Sequence, residues 1–208
     1  MSAAQRRTGR LWLPIIGMAI VVLVSNVAVQ YPFTPWGLED YLTWGAFTYP
    51  VAFLITDLTN RRHGAATARR LVIVGFVLAV IVSIAAASPR IALASGAAFL
   101  VGQLLDVSVF NRLRRLAWWR APLLGSLAGS AIDTALFFSI AFAGDLSGTA
   151  TYGVGDAQLA LPVWVGWATC DFLVKMAMAL LMLVPYGALV RALSAEVDAD
   201  TAKRPVRS

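Results

Sequence analysis

Apolar residues crowd into six long runs along the chain, at 11–30, 41–58, 71–88, 91–110, 122–143 and 159–184, with short polar or basic stretches between them. At 1.5 Å of rise per residue, each run is long enough to cross the roughly 30 Å hydrocarbon layer of a bilayer as a helix. The pattern predicts an all-α, polytopic membrane protein. It has a single membrane domain, 1–208, and six transmembrane helices. Basic residues before the first run, Arg6, Arg7 and Arg10, also suit a signal peptide. The run from Leu11 to Val29 exceeds a usual signal-peptide core, and Ser25 to Val29 offers no clear small-residue cleavage site, so it is read as an uncleaved helix.

Composition strengthens the membrane assignment: 59% of the 208 residues are hydrophobic, 13% are charged, and the mean hydropathy is +0.74. A soluble core could not bury that much apolar surface. The net charge of +6 would raise nucleic acid as a partner in a soluble protein. Here the basic residues collect in loops, and no nucleic acid partner is expected. The N-terminal tail, the stretch after the second run, the stretch after the fourth and the C-terminal tail hold 3, 4, 4 and 4 basic residues, whereas the other two connections hold Arg90 alone. Positive residues stay on the cytoplasmic side, so both termini are expected there. Trp12, Trp36, Trp44, Trp118 and Trp119 fall near run ends, as interfacial anchors do. A single cysteine, Cys170, excludes an intramolecular disulfide.

Polar residues inside the runs carry the functional signal, because an ionised side chain in hydrocarbon costs roughly 3 kcal/mol or more. Asp57, Asp106, Asp133, Asp171 and Lys175 qualify. Asp57 has Arg61 at i+4 and Asp171 has Lys175 at i+4, so structural ion pairs are one reading of both. Asp106 and Asp133 have no basic residue at that spacing. Phe99, Gln103, Asp106 and Phe110 share one helical stripe that suits a pocket wall. Gly125 and Gly129 let another helix approach closely and take Asp133 into the same buried face. Counting along their runs places Asp133 about 16 Å and Asp171 about 15 Å from the helix starts, near the midplane. Asn26 and Gln30 lie one turn apart near the outer end of the first run, where a polar pair either joins helices or meets substrate. Pro50, inside the second run, frees a backbone carbonyl there. Together these groups trace a route from one face to the other, as transport requires.

The stretch Thr43-Trp44-Gly45-Ala46-Phe47-Thr48-Tyr49-Pro50, then Phe53-Leu54-Ile55-Thr56-Asp57-Leu58-Thr59 and Gly64, resembles the signature of the queuosine precursor transporter family. Gly102-Gln103-Leu104-Leu105-Asp106 with Phe110 to Arg114, Ser130 to Thr134 with Phe137-Phe138, and Asp171 to Lys175 resemble that family's later motifs in order. Many members carry Glu and an aromatic where this chain has Arg61 and His63. The resemblance implies a bacterial inner-membrane, multi-pass carrier for 7-deazaguanine bases, the cyano and aminomethyl precursors of the tRNA nucleoside queuosine. A guanine-like edge offers N–H donors that a carboxylate accepts, and a carbonyl that an amide or lysine can meet. Asp133, Asp106, Asp171 and Gln103 are the first candidates for substrate contact, followed by Lys175, Asn26, Gln30, Asp57 and Tyr49. Phe99, Phe110, Phe137, Trp167 or Tyr49 would stack on the base.

No cofactor and no metal are expected, and either Asp106 or Asp133 is able to carry a proton if transport is proton-coupled rather than facilitative. A homodimer through Gly125 and Gly129 is compatible with the sequence. Two other readings stand beside the carrier. One is the substrate-binding subunit of a multi-component vitamin or nucleobase importer, also a small six-helix protein. The other is an intramembrane aspartyl protease, suggested by Gly153-Val154-Gly155-Asp156, though that motif sits in a polar connection rather than a helix. Walker A, zinc-ligand and nucleophile-elbow patterns are absent, so no enzyme is expected.

Overall fold

A computed structural model describes residues 11–86, 89–144, 148–154 and 157–202. Arg6, Arg7, Arg10, Ser88, Gly155, Asp156, Lys203, Arg204 and Arg207 lie outside the described residues. The elements are α1 (Trp12–Ala28), α2 (Gly45–Thr48), α3 (Pro50–His63), α4 (Ala65–Ala86), α5 (Pro89–Leu113), α6 (Arg120–Phe142), β1 (Thr149–Val154), β2 (Ala157–Pro162) and α7 (Val163–Ala202). Among the described residues, Ala65–Ile84, Pro89–Leu113, Arg120–Phe142 and Val163–Ala192 are long and apolar enough to cross a membrane, and α1 is a shorter apolar helix.

Side chains are arranged inside out relative to a water-soluble protein. Ile20, Ile81, Leu173 and Val184 are more than half exposed, while Asp57, Asp106, Gln103, Asp133 and Lys175 are buried. An apolar exterior around a polar interior is stable only where the surrounding medium is itself apolar, which makes this a multi-pass membrane protein.

The second run keeps helical backbone angles through Tyr49, at φ −58° and ψ −40°, but Pro50 interrupts its hydrogen-bond ladder. Pro50 stands at the first position of α3, where its missing donor costs nothing, and α2 is a separate single turn before it. Tyr49 sits at the break, with its N–H bonded to the Gly45 carbonyl and its own carbonyl accepting from Ala52. At the other end α3 continues beyond Leu58 through Asn60, Arg61, Arg62 and His63. Gly64, at φ 85°, turns the chain straight into α4. The expected basic loop is therefore a helix corner: a lone glycine in a conformation other residues avoid does what a loop was expected to do. Likewise α7 runs past Val184 through Pro185, since a membrane helix tolerates proline where neighbours cover the freed carbonyl.

The connection expected to be an irregular polar loop, together with Leu159 to Pro162, folds as an antiparallel hairpin in which Thr149 faces Pro162 and Val154 faces Ala157. The fold is thus helical with one small β element. Val163 at the start of α7 donates to the Gly148 carbonyl and fixes the hairpin to the bundle. The loop 31–44 is closed by Phe33 N–H to Leu42 O and Trp44 N–H to Tyr31 O. Phe33, Leu42 and Ala46 pack beneath that loop against Cys170 and Val174 of α7. The opposite face carries the arginines. There Arg61 donates to the Arg114 carbonyl at 2.8 Å and Arg114 donates back to the Arg61 carbonyl at 3.3 Å.

Contact between α5 and α6 is the closest in the bundle, and glycines permit it. A Cβ on Gly129 would lie 2.7 Å from Phe53 Cε1 and 2.8 Å from the Gly102 carbonyl oxygen. One on Gly125 would lie 2.5 Å from Asp106 Oδ1. This face is filled by the same chain's own α3 and α5.

Candidate functional site

A cavity of about 430 Å³ opens on the hairpin face, between α1, α2, α4, α5, α6 and α7. Pockets of this size hold small organic ligands. Its mouth carries Glu39 and Asp40, both exposed, from the tip of the loop 31–44. Aromatic side chains from three elements form the walls: Tyr49 at the helix break, Phe137 and Phe142 on α6, and Trp167 on α7. Phe142 and Trp167 meet edge to face with centroids 5.4 Å apart.

The floor is an ion cluster that joins α6 to α7. Lys175 Nζ lies 2.7 Å from Asp133 Oδ2 and 2.6 Å from Asp171 Oδ2, and it donates to Thr134 Oγ1 at 3.1 Å. The Thr134 hydroxyl in turn donates a hydrogen bond to Asp171 Oδ2 at 2.8 Å. Three partners match the three protons of an ammonium, so the lysine is saturated within the protein. Both carboxylates use Oδ2 for it, which leaves their Oδ1 atoms outside these bonds. Such a buried charge survives in an apolar medium only through this pairing. The expectation that Asp133 lacks a basic partner is corrected here: its partner is Lys175, one helix away.

Near the rim, Asn26 donates to the Val22 carbonyl and accepts from Ser83 of α4 at 2.9 Å, while Gln30 donates to the Asn26 carbonyl at 3.2 Å. The pair both joins helices and lines the cavity.

The family described as "Putative vitamin uptake transporter" matches residues 43–190. A "Probable queuosine precursor transporter" of Haemophilus influenzae is 37% identical over 89% of this chain and 88% of its own length. The "Queuosine precursor transporter" of Escherichia coli is 35% identical over 92% of this chain and 91% of its own length. The "Probable queuosine precursor transporter" of Bacillus subtilis is 31% identical over 83% and 80%. The chain belongs to the queuosine precursor transporter family. No solved structure matches it.

Within this family member, the candidate residues fall into two groups. Asp133, Asp171, Lys175, Asn26, Gln30 and Tyr49 line the cavity. Asp106, Gln103 and Asp57 do not; they are buried, with the Asp57 carboxyl group on α3 facing that of Asp106 on α5, and Asp106 lies against Gly125 and Gly129 of α6. The stripe of Phe99, Gln103, Asp106 and Phe110 is therefore a helix interface rather than the cavity wall. In that interface both Asp106 oxygens, Asp57 Oδ1 and the Gln103 amide find no hydrogen-bond partner among the described residues beyond the two facing carboxyl groups themselves. Arg61, expected beside Asp57 as an ion pair, instead bonds the Arg114 carbonyl. Phe110 packs on Tyr186, with centroids 6.4 Å apart, away from the cavity.

A narrow seam of about 10 Å³ continues from the cluster toward the arginine face, between Asp57, Ser126, Ser130, Met182 and Tyr186. It has room for one water at most. Lys175 borders both the cavity and the seam. Sequence reasoning missed Thr134 as a partner of the cluster, Ser83, Phe142 and the acids Glu39 and Asp40. The acidic pair was visible as the only charges between the first two apolar runs, on the side whose other connections hold Arg90, Asp145 and Asp156.

Proposed function

We propose that the chain imports queuosine precursors, the 7-cyano and 7-aminomethyl 7-deazaguanine bases, across the bacterial inner membrane. The observation that carries this reading is the aromatic cavity ending on carboxylates at the Lys175 cluster, in a chain whose relatives are named for such transport. Carboxylate oxygens suit the N–H edge of a guanine-like ring, and the aromatic walls suit its flat faces. Six spans are proposed: α1, the broken α2–α3 unit, α4, α5, α6 and α7. Both termini and the arginine face lie in the cytoplasm, and the cavity opens outward. Pro50 interrupts the hydrogen-bond ladder of the second span beside Tyr49, which lines the cavity.

Energy coupling has two versions, proton symport or facilitated entry. For symport we favour the Asp57–Asp106 pair as the proton carrier over Asp133, because Asp133 is held by Lys175 whereas the other pair makes no salt bridge among the described residues. Purified protein in liposomes separates the two: accumulation of the cyano base under an acid-outside gradient indicates coupling, and equilibration regardless of the gradient indicates facilitation. Uptake there without a partner protein also rejects the subunit reading.

The test of import itself is uptake of labelled base into cells lacking both precursor synthesis and their own carrier, read as queuosine in tRNA. Asp133→Asn is expected to abolish it while the protein stays in the membrane. Normal queuosine in cells carrying that variant removes Asp133 from the site.

A further inference from the structure

At the floor of the cavity the protons of Lys175 are committed within the protein. The lysine's donors are taken by Asp133, Asp171 and Thr134, and the Asn26 and Gln30 amides already donate to backbone carbonyls. The Oδ1 atoms of Asp133 and Asp171 lie outside the lysine's bonds and are carboxylate acceptors on that floor. Charge points the same way. The cavity is lined by four acids, Glu39, Asp40, Asp133 and Asp171, against one cation, Lys175, a formal balance of −4 + 1 = −3 among the described residues. Arg90, the one basic residue of the external connections, does not line the cavity; it donates to the Ile140 and Ala143 carbonyls at the end of α6. That is a favourable place for a cation, at the negative end of a helix.

A cleft of one sign with low-dielectric walls concentrates ligands of the opposite sign, and a desolvated ammonium gains further from aromatic faces. Tyr49, Phe137 and Trp167 supply those faces within the same cavity. From this we propose that the site is selective for a planar base bearing a primary ammonium on a short arm, over the otherwise similar neutral base. The ammonium is expected to be drawn by the Glu39–Asp40 mouth and held by the free carboxylate oxygens of the floor. This inference rests on the reading of the chain as a precursor importer and names which of its two substrates the site is built for.

The measurement is initial uptake of labelled 7-aminomethyl-7-deazaguanine and of 7-cyano-7-deazaguanine, each at concentrations well below saturation, into liposomes holding the purified full-length protein. The aminomethyl base is expected to enter at least about tenfold faster, a difference near 1.4 kcal/mol. In the Glu39→Gln/Asp40→Asn double variant the ratio should fall severalfold, and raising the salt concentration should lower it in the unmodified protein because the mouth is exposed. These two residues lie on an exposed loop tip, and the amount of folded protein in each preparation is measured alongside. Equal or faster entry of the cyano base overturns the proposal. So does a ratio that neither the double variant nor salt changes. Entry of neither base overturns the importer reading itself, an outcome distinct from entry of both without preference.

Discussion

Lys175 is the residue on which the site depends, since it holds two carboxylates from two helices together in a place where neither could stay ionised alone. Replacing it by Met removes the ammonium but leaves Asp133 and Asp171 buried beside each other without compensation. Losing one partner of a buried pair costs about 3–5 kcal/mol. Lys175→Met should therefore lower the thermal stability of the detergent-solubilised protein sharply. Adding Asp133→Asn and Asp171→Asn to it should restore most of that stability without restoring uptake. If the triple variant is no more stable than the single one, the cluster is not the electrostatic unit described. Thr134→Val keeps the shape and removes one hydroxyl that both donates and accepts within the cluster. Its expected cost is about 1–3 kcal/mol, measured by the same unfolding assay.

Helices α5 and α6 meet so closely that their glycines and aspartates form one interlocked surface: Gly125 and Gly129 receive Asp106, and Gly102 receives Asp133. The two polar groups of the molecule are thus placed by the same contact. A methyl group at Gly129 has nowhere to go, because Phe53 and the Gly102 carbonyl stand at 2.7 and 2.8 Å. Gly129→Ala should destabilise the protein by about 1–3 kcal/mol through overpacking. Since that face is covered within one chain, the substitution should leave the oligomeric state, measured by light scattering in detergent, unchanged. A change of oligomeric state on this substitution would place the face between copies after all.

Seen across the whole molecule, an open cavity on one side and a seam of about 10 Å³ on the other make an arrangement open toward the hairpin face only. Accessibility checks this in a Cys170→Ser background, which has no other thiol. Ser95→Cys, on the cavity wall, should react with an impermeant thiol reagent added outside intact cells, whereas Ser126→Cys, buried beside the seam, should not. The orientation has its own test: a reporter fused after Ser208 should be active in the cytoplasm, and one inserted near Gly148 should report outside. The reverse pattern would invert the import route.

Hydropathy and the placement of arginines alone established a multi-pass membrane protein, and the motifs around Tyr49, Asp106, Asp133 and Asp171 pointed to its family. The ionisable residues inside the runs could be singled out for the same reason: their cost in lipid does not depend on knowing their neighbours. Which of them share a site was decided only by tertiary structure. Spacing along a helix reports the Asp171–Lys175 pair, four residues apart, but it is blind to Asp133, whose meeting with Lys175 depends on the rotation and depth of α6 against α7. The same blindness made Phe99, Gln103, Asp106 and Phe110 read as a cavity wall, because a shared stripe says that residues face together and not what they face. The hairpin escaped as well, since its strands pair with each other and leave no helical or lipid-facing period. What lies between the helices is set by packing, and packing at Gly102, Gly125 and Gly129 is a property of two surfaces at once.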